Sequence, residues 1–126
     1  MKHFVTYLVE EYEKQNRVDD FVKFAAEYLH LNIPQVTLLT DRDENMTTAS
    51  YNIRTGEIRV YIKGRACFDI CRSIAHEMVH AMQHEHEGPH RLDGSTGSPH
   101  EDEANAVAGR IIRSYGKQNP DFYNES

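Results

Sequence analysis

The sequence predicts one small α+β domain: N-terminal helices, a short, mainly antiparallel sheet with a hairpin, and a central helix packed against a C-terminal one. Three observations predict it. Apolar residues repeat with a helical period up to Leu29, switch to period two between Ala49 and Ile62, and return to a helical period from about Phe68. A chain of 126 residues, 39% of them hydrophobic, has apolar mass for one core and not for two. No internal repeat, low-complexity tract or linker divides it, so residues 1–126 read as a single domain with a polar tail from about 117.

The elements follow in order. Phe4, Val5, Leu8, Val9 and Tyr12 share one helical face, and after the polar stretch Gln15, Asn16, Arg17 a second stripe holds Val18, Phe21, Val22, Ala25 and Leu29. Two helices are expected from that interruption. Pro34 disfavours helix at Ile33, and Val36 to Thr40 read as a first strand ended by the charged loop from Asp41 to Asn45. Ala49, Tyr51 and Ile53 alternate with polar residues, as do Ile58, Val60 and Ile62 beyond a turn at Arg54, Thr55 and Gly56. This is the pattern of a hairpin with one buried face. Phe68 to Glu87 carry a broad apolar stripe through Ile70, Cys71, Ile74, Ala75, Met78, Val79 and Met82, stopped by Gly88 and Pro89, so this helix is expected to be central. Pro89 to Gly97 read as a loop. Ser98 as cap, Pro99 at the first helical position and Glu101 three after the cap start a last helix, with Ala104, Ala108, Ile111, Ile112 and Tyr115 inward and Gly116 as its end.

Composition narrows the function. With 27% charged residues and no apolar run near the roughly 20 residues of a membrane span, the chain reads as soluble. A net charge of -6 repels a nucleic-acid backbone or an anionic membrane on average, so neither is an expected partner. Glu10, Glu11 and Glu13 interrupt anything like a secretory leader, which makes the expected location cytoplasmic. Cys67 and Cys71, the only two cysteines, lie four apart in a helical pattern and read as reduced, partly buried thiols.

The sharpest motif is HEMVH, residues 76–80, inside the expected central helix. His76 and His80, one turn apart, project from the same face and can reach one ion at about 2.0 to 2.1 Å from each nitrogen. Glu77 is offset from that line, where it can take a proton from a water beside the ion, the general-base role of this motif. A zinc ion used for hydrolysis needs a third protein ligand and an open fourth position. His84 continues the series but stands about 12 Å along the axis from His76, too far to share an ion. His86 matches the spacing HExxHxxGxxH, yet Gln83 stands where that pattern has its turning glycine, so the helix should carry His86 away.

The acidic cluster Glu101, Asp102, Glu103 opens the last helix, 20 residues beyond His80, a separation that lets the second helix pack beside the first. Glu101 lies on the inward stripe with Ala104 and Ala108 and is the preferred ligand; Glu103 is the reserve. Asn105, one turn after Glu101, is placed to hydrogen-bond a liganding histidine. A capping box with Ser98 competes for the Glu101 side chain.

With these residues the sequence resembles zinc metallopeptidases of the gluzincin type, closest to the minigluzincins and the ImmA/IrrE-like peptidase domains, where HExxH is followed by ExEAN. Glu101, Asp102, Glu103, Ala104 and Asn105 match that segment at its named positions, and the resemblance covers about Ala49 to Tyr115. It implies a zincin-like fold, one zinc per chain held by His76, His80 and Glu101, Glu77 as general base, and the strand from Glu57 to Lys63 as a sheet edge along which an extended substrate pairs. No helix-turn-helix segment of the DNA-linked members is evident.

The reading is thus a metallopeptidase acting on a protein or peptide in a shallow groove. Tyr51, His100, Arg113, Tyr115 and Tyr123 are candidates for stabilising the oxyanion, with no basis for choosing among them. His84, His86 and His90 read as solvated, as do Lys63, Arg65, Arg72 and Arg91, of which Arg91 could guide an acidic substrate. The alternatives are a non-catalytic zinc-binding regulatory or interaction module, favoured by a fourth protein ligand such as Asp102 or His100, and an interaction protein with no metal.

Overall fold

The computed structural model describes residues 2–41, 48–87 and 99–122, with the side chains of residues 2–13 and 87 excepted. Among them are three helices and a three-stranded mixed sheet: α1 (Lys2–Leu29), β1 (Val36–Leu39), β2 (Ala49–Tyr51), β3 (Ile58–Tyr61), α2 (Cys67–Glu87) and α3 (Pro99–Gln118). The architecture is α+β.

α1 is one helix of 28 residues, not two. Gln15, Asn16 and Arg17 interrupt the apolar stripe without breaking the backbone: the segment holds no Gly or Pro, and Gln15 Nε2 donates to Asp19 Oδ1, one turn on, at 2.8 Å. The expected apolar face of Phe4 to Tyr12 lies outside the described side chains. Below it Val18, Phe21, Val22, Ala25, Ala26 and Leu29 are buried. The helix ends where His30 takes a φ of 57°, with His30 N–H on the Glu27 carbonyl and Leu31 N–H on the Ala26 carbonyl. These paired bonds satisfy the last carbonyls in a Schellman arrangement.

The sheet order is β1-β3-β2. β3 pairs parallel with β1, Val36 opposite Ile58, and antiparallel with β2, Ala49 opposite Val60. Two expectations are corrected here. The sheet is mixed rather than mainly antiparallel, and the strand from Glu57 to Lys63 is central rather than an edge. The physical reason is burial: Ile58 and Val60 are fully buried, so β3 takes the middle and leaves the half-buried β1 and β2 as edges. The hairpin stands as expected. Asn52 closes it, its Oδ1 accepting from Arg54 N–H and Thr55 N–H while its carbonyl accepts from Gly56 N–H, and Gly56 supplies a φ of 77°.

α2 lies across the molecule and packs chiefly on α3, then on α1, with β2 and β3 against it. Its Ile70, Cys71, Ile74, Ala75, Met78 and Val79 are buried, and the small Ala104 and Ala108 of α3 let the two helices approach. Cys67 and Cys71 are buried free thiols. α3 runs past Gly116 to Gln118, and residues 119–122 return to the core: Phe122, 5% exposed, stacks on Phe21 and meets Tyr115 and Phe68 edge-on. One apolar ring at the end of a polar segment is enough to seat it. No described helix is long and apolar enough to cross a membrane. The expected loop from Pro89 to Gly97, and Ser98 as a cap, lie outside the described residues.

Candidate metal centre

α2 presents His76 and His80 one turn apart on the flank that faces the start of α3, and Glu101, in the first turn of α3, meets them. Ligand atoms of all three lie within 4.8 Å of one another, so the cluster can hold a metal ion. His76 Nε2 is 2.6 Å from Glu101 Oε1, His80 Nε2 is 3.2 Å from Glu101 Oε2, and the two Nε2 atoms are 3.2 Å apart. Donors at 2.0 to 2.1 Å from a tetrahedral ion are separated by about 3.3 Å. The two imidazole nitrogens, and His80 Nε2 with Glu101 Oε2, already have about that separation, while His76 faces the other carboxylate oxygen. All three side chains are half-buried.

A fourth residue sets the chemistry of His80. Gln83, 2% exposed, donates from Nε2 to the His100 carbonyl at 2.9 Å and to Glu103 Oε1 at 2.8 Å. Both partners are acceptors, which fixes the amide so that Oε1 faces His80 Nδ1 at 2.8 Å. His80 therefore carries its proton on Nδ1 and turns the Nε2 lone pair toward the cluster, as a metal ligand requires. Sequence reasoning gave a supporting part of this kind, toward one or other liganding histidine, to Asn105, which makes no hydrogen bond among the described residues. That expectation is corrected: Asn105 is exposed on the cleft wall, whereas His80 Nδ1 faces the next turn of its own helix, where Gln83 stands. The spacing from His80 to Gln83, three residues on a helix, was a usable signal.

The other proposed residues are placed as follows. Glu103, the reserve ligand, bonds Gln83, and Asp102 is exposed. His86 is exposed near the end of α2, and the His84 ring lies 6.4 Å from that of Tyr51, so neither joins the cluster. Among the described residues no fourth His, Cys, Asp or Glu does. Tyr115 packs on Phe21 and Phe24, His100 engages Gln83 through its carbonyl, and neither Tyr51 nor Arg113 lines the cleft. His90, Arg91 and Tyr123 lie outside the described residues.

The cluster opens into a cleft of about 500 Å³ whose walls include Thr48, Ala49, Ser73, Glu77 and Asn105. Glu77 is pushed up from the ordinary carboxyl value to about 7, first by burial and then by the charge of Glu101. Arg65, expected as part of a solvated face, is instead a structural hub. Its guanidinium bonds the Asp69 carboxylate, the Tyr61 carbonyl and Ser73 Oγ, because the turn at Gly64, with its φ of 72°, folds Arg65 back over the start of α2. The register of the hairpin directs the backbone of Thr48, Ser50 and Asn52 at β3, so the N–H and C=O groups of Ala49 and Tyr51 point to the outer edge of β2, which pairs with no further strand among the described residues and borders the cleft at Ala49. No family model, curated protein or solved structure matches this chain, so the reading of the site rests on its own geometry.

Proposed function

We propose that this protein is a zinc-dependent metallopeptidase of the gluzincin type, with a zincin-like fold. One observation carries the reading: two histidines of an HExxH helix and a glutamate of the next helix converge on one point, with the motif's own glutamate on the wall of the adjoining cleft. Two neutral imidazoles and one carboxylate make a donor set that suits zinc. When bound there, zinc lowers the pKa of water toward about 7 and polarises a carbonyl oxygen.

His76, His80 and Glu101 would hold the metal, and Gln83, bonded to His80 Nδ1, would keep the His80 ring turned toward it. Glu77, on the wall of the cleft, takes the proton from the attacking water and delivers it to the nitrogen of the leaving amine. The C–O bond forms first, the C–N bond then breaks as the amine nitrogen receives the proton, and Glu77 ends as it began. An extended peptide pairing with the outer edge of β2 through Ala49 and Tyr51 would enter the cleft beside His76 and His80. The shallow, open cleft suits a protein or peptide substrate.

Metal content and cleavage test this reading together. Elemental analysis should find about one zinc per chain in the wild type and in His86→Ala, and much less in Glu101→Gln. Cleavage of a denatured protein should be lost in Glu77→Gln with zinc retained. Zinc without Glu77-dependent cleavage would turn the reading into a non-catalytic zinc module, and no zinc after reconstitution would end it.

A further inference from the structure

Two arginines near the start of α2 stand in unlike states, and only Arg72 lines the cleft. Arg65 spends its donors inside the protein, on the side chains of Asp69 and Ser73 and the carbonyls of Tyr61, Thr48 and Asp69. That contact also neutralises Asp69, whose Oδ2 is 2.8 Å from Arg65 Nε. Arg72 lines the same cleft, is exposed, and makes no hydrogen bond or ion pair among the described residues. Glu101 is turned to the two histidines. Among the described residues Arg72 is therefore a cation without a protein partner, on the same face of α2 as the cluster and one turn before His76.

The direction of β2 says which part of a substrate meets it. Thr48 is joined through Arg65 to Asp69 and Ser73 in the first half of α2, whereas Tyr51 lies against His84 in the second half. β2 and α2 thus run the same way along the cleft. A peptide adding antiparallel to β2, the more stable pairing, runs from the Tyr51 end to the Thr48 end. The residues after the cleaved bond then travel toward Arg72. One helical turn is about 6 Å and an extended chain advances about 3.3 Å per residue, which brings the second or third residue past the bond within reach of the guanidinium.

We propose that Arg72 is a specificity-determining residue that binds a substrate carboxylate two to three residues beyond the cleaved bond. The proposal rests on the peptidase reading above and adds the substrate class to it. The carboxylate belongs either to an Asp or Glu side chain or to the substrate's own C-terminus. A planar fork of donors matches either source, and on a protein of net charge -6 such a local cation selects an acidic group that the molecule as a whole repels.

The test compares quenched peptides carrying Glu or Gln at each of the three positions after the bond, each with a free or an amidated C-terminus. Wild type is expected to favour one carboxylate-bearing peptide about tenfold in kcat/KM, with Arg72→Ala erasing the preference and Arg72→Lys keeping part of it. The amide pairs tell a C-terminal carboxylate from a side chain. Glu77-dependent cleavage indifferent to carboxylates, or a preference unchanged in Arg72→Ala, overturns the proposal and leaves the peptidase reading intact. If no peptide is cleaved, the peptidase reading fails. Anisotropy of the dye-labelled Glu and Gln peptides on zinc-loaded Glu77→Gln protein, with and without Arg72→Ala, then decides on binding alone. Tighter binding of Glu peptides that is lost with Arg72 upholds carboxylate recognition, and equal binding overturns it. Arg72 is exposed, so far-ultraviolet circular dichroism should show its variants folded as wild type.

Discussion

Gln83, buried, and Glu77, half-buried, meet the cost of desolvation on α2 in opposite ways. Gln83 is nearly inaccessible, yet its amide is satisfied by His80, the His100 carbonyl and Glu103, so its desolvation is offset and the surplus orients a histidine. Glu77 makes no hydrogen bond among the described residues, and burial raises its carboxyl from 4.5 to about 7. The folded chain therefore holds this proton more tightly than the unfolded chain does. In the metal-free protein the carboxyl costs nothing below about pH 4.5. Its penalty grows as pH rises through about 7 and is then complete, with a ceiling of about 3 kcal/mol. Glu77→Gln, which has the same shape and no charge, is expected to match metal-free wild type at pH 4.5 and to be the more stable at pH 8. Urea unfolding of both at the two pH values measures the gap; equal stabilities at pH 8 would show that Glu77 is not held in an environment hostile to its charge.

At the scale of elements, the site was legible wherever local spacing fixes direction. A helix places His76 and His80 together whatever surrounds them, and the inward stripe of α3 places Glu101 with Ala104 and Ala108. The mistakes came where partners distant in sequence decide. A polar gap at Gln15 to Arg17 looks the same whether the helix stops or merely turns a wet face outward, and the sequence of β3 does not say how many neighbours it has. Phe122 is the clearest case, since nothing local to a polar tail reports that Phe21, Phe68 and Tyr115 offer it a socket. That socket joins the ends of α1, α2 and α3. Phe122→Ala is expected to cost about 3 kcal/mol, the low end for a core phenylalanine, with metal content unchanged. A denaturant midpoint within error of wild type would mean that the tail adds nothing to the core.

For the whole molecule, the cluster is a joint as well as a site. Two of its ligands belong to α2 and the third to α3, the pair of helices with the most extensive packing, so an ion held there ties them together and binds the folded chain in preference to the unfolded one. Free zinc at about 1,000 times its dissociation constant then adds about 4 kcal/mol, which for a domain of this size raises Tm by on the order of 10 °C. Glu101→Gln keeps the shape and removes the charge that holds the second helix, so it should lose most of that rise. Gln83→Leu frees His80 to choose its other tautomer, which weakens zinc binding about 10- to 100-fold and should leave an intermediate rise. His86→Ala, outside the cluster, should keep all of it. Thermal scans of the four proteins with zinc and with chelator order these effects without any substrate. A full rise in Glu101→Gln would place the ion elsewhere, and a full rise in Gln83→Leu would mean that His80 binds zinc equally well without its anchor to α3.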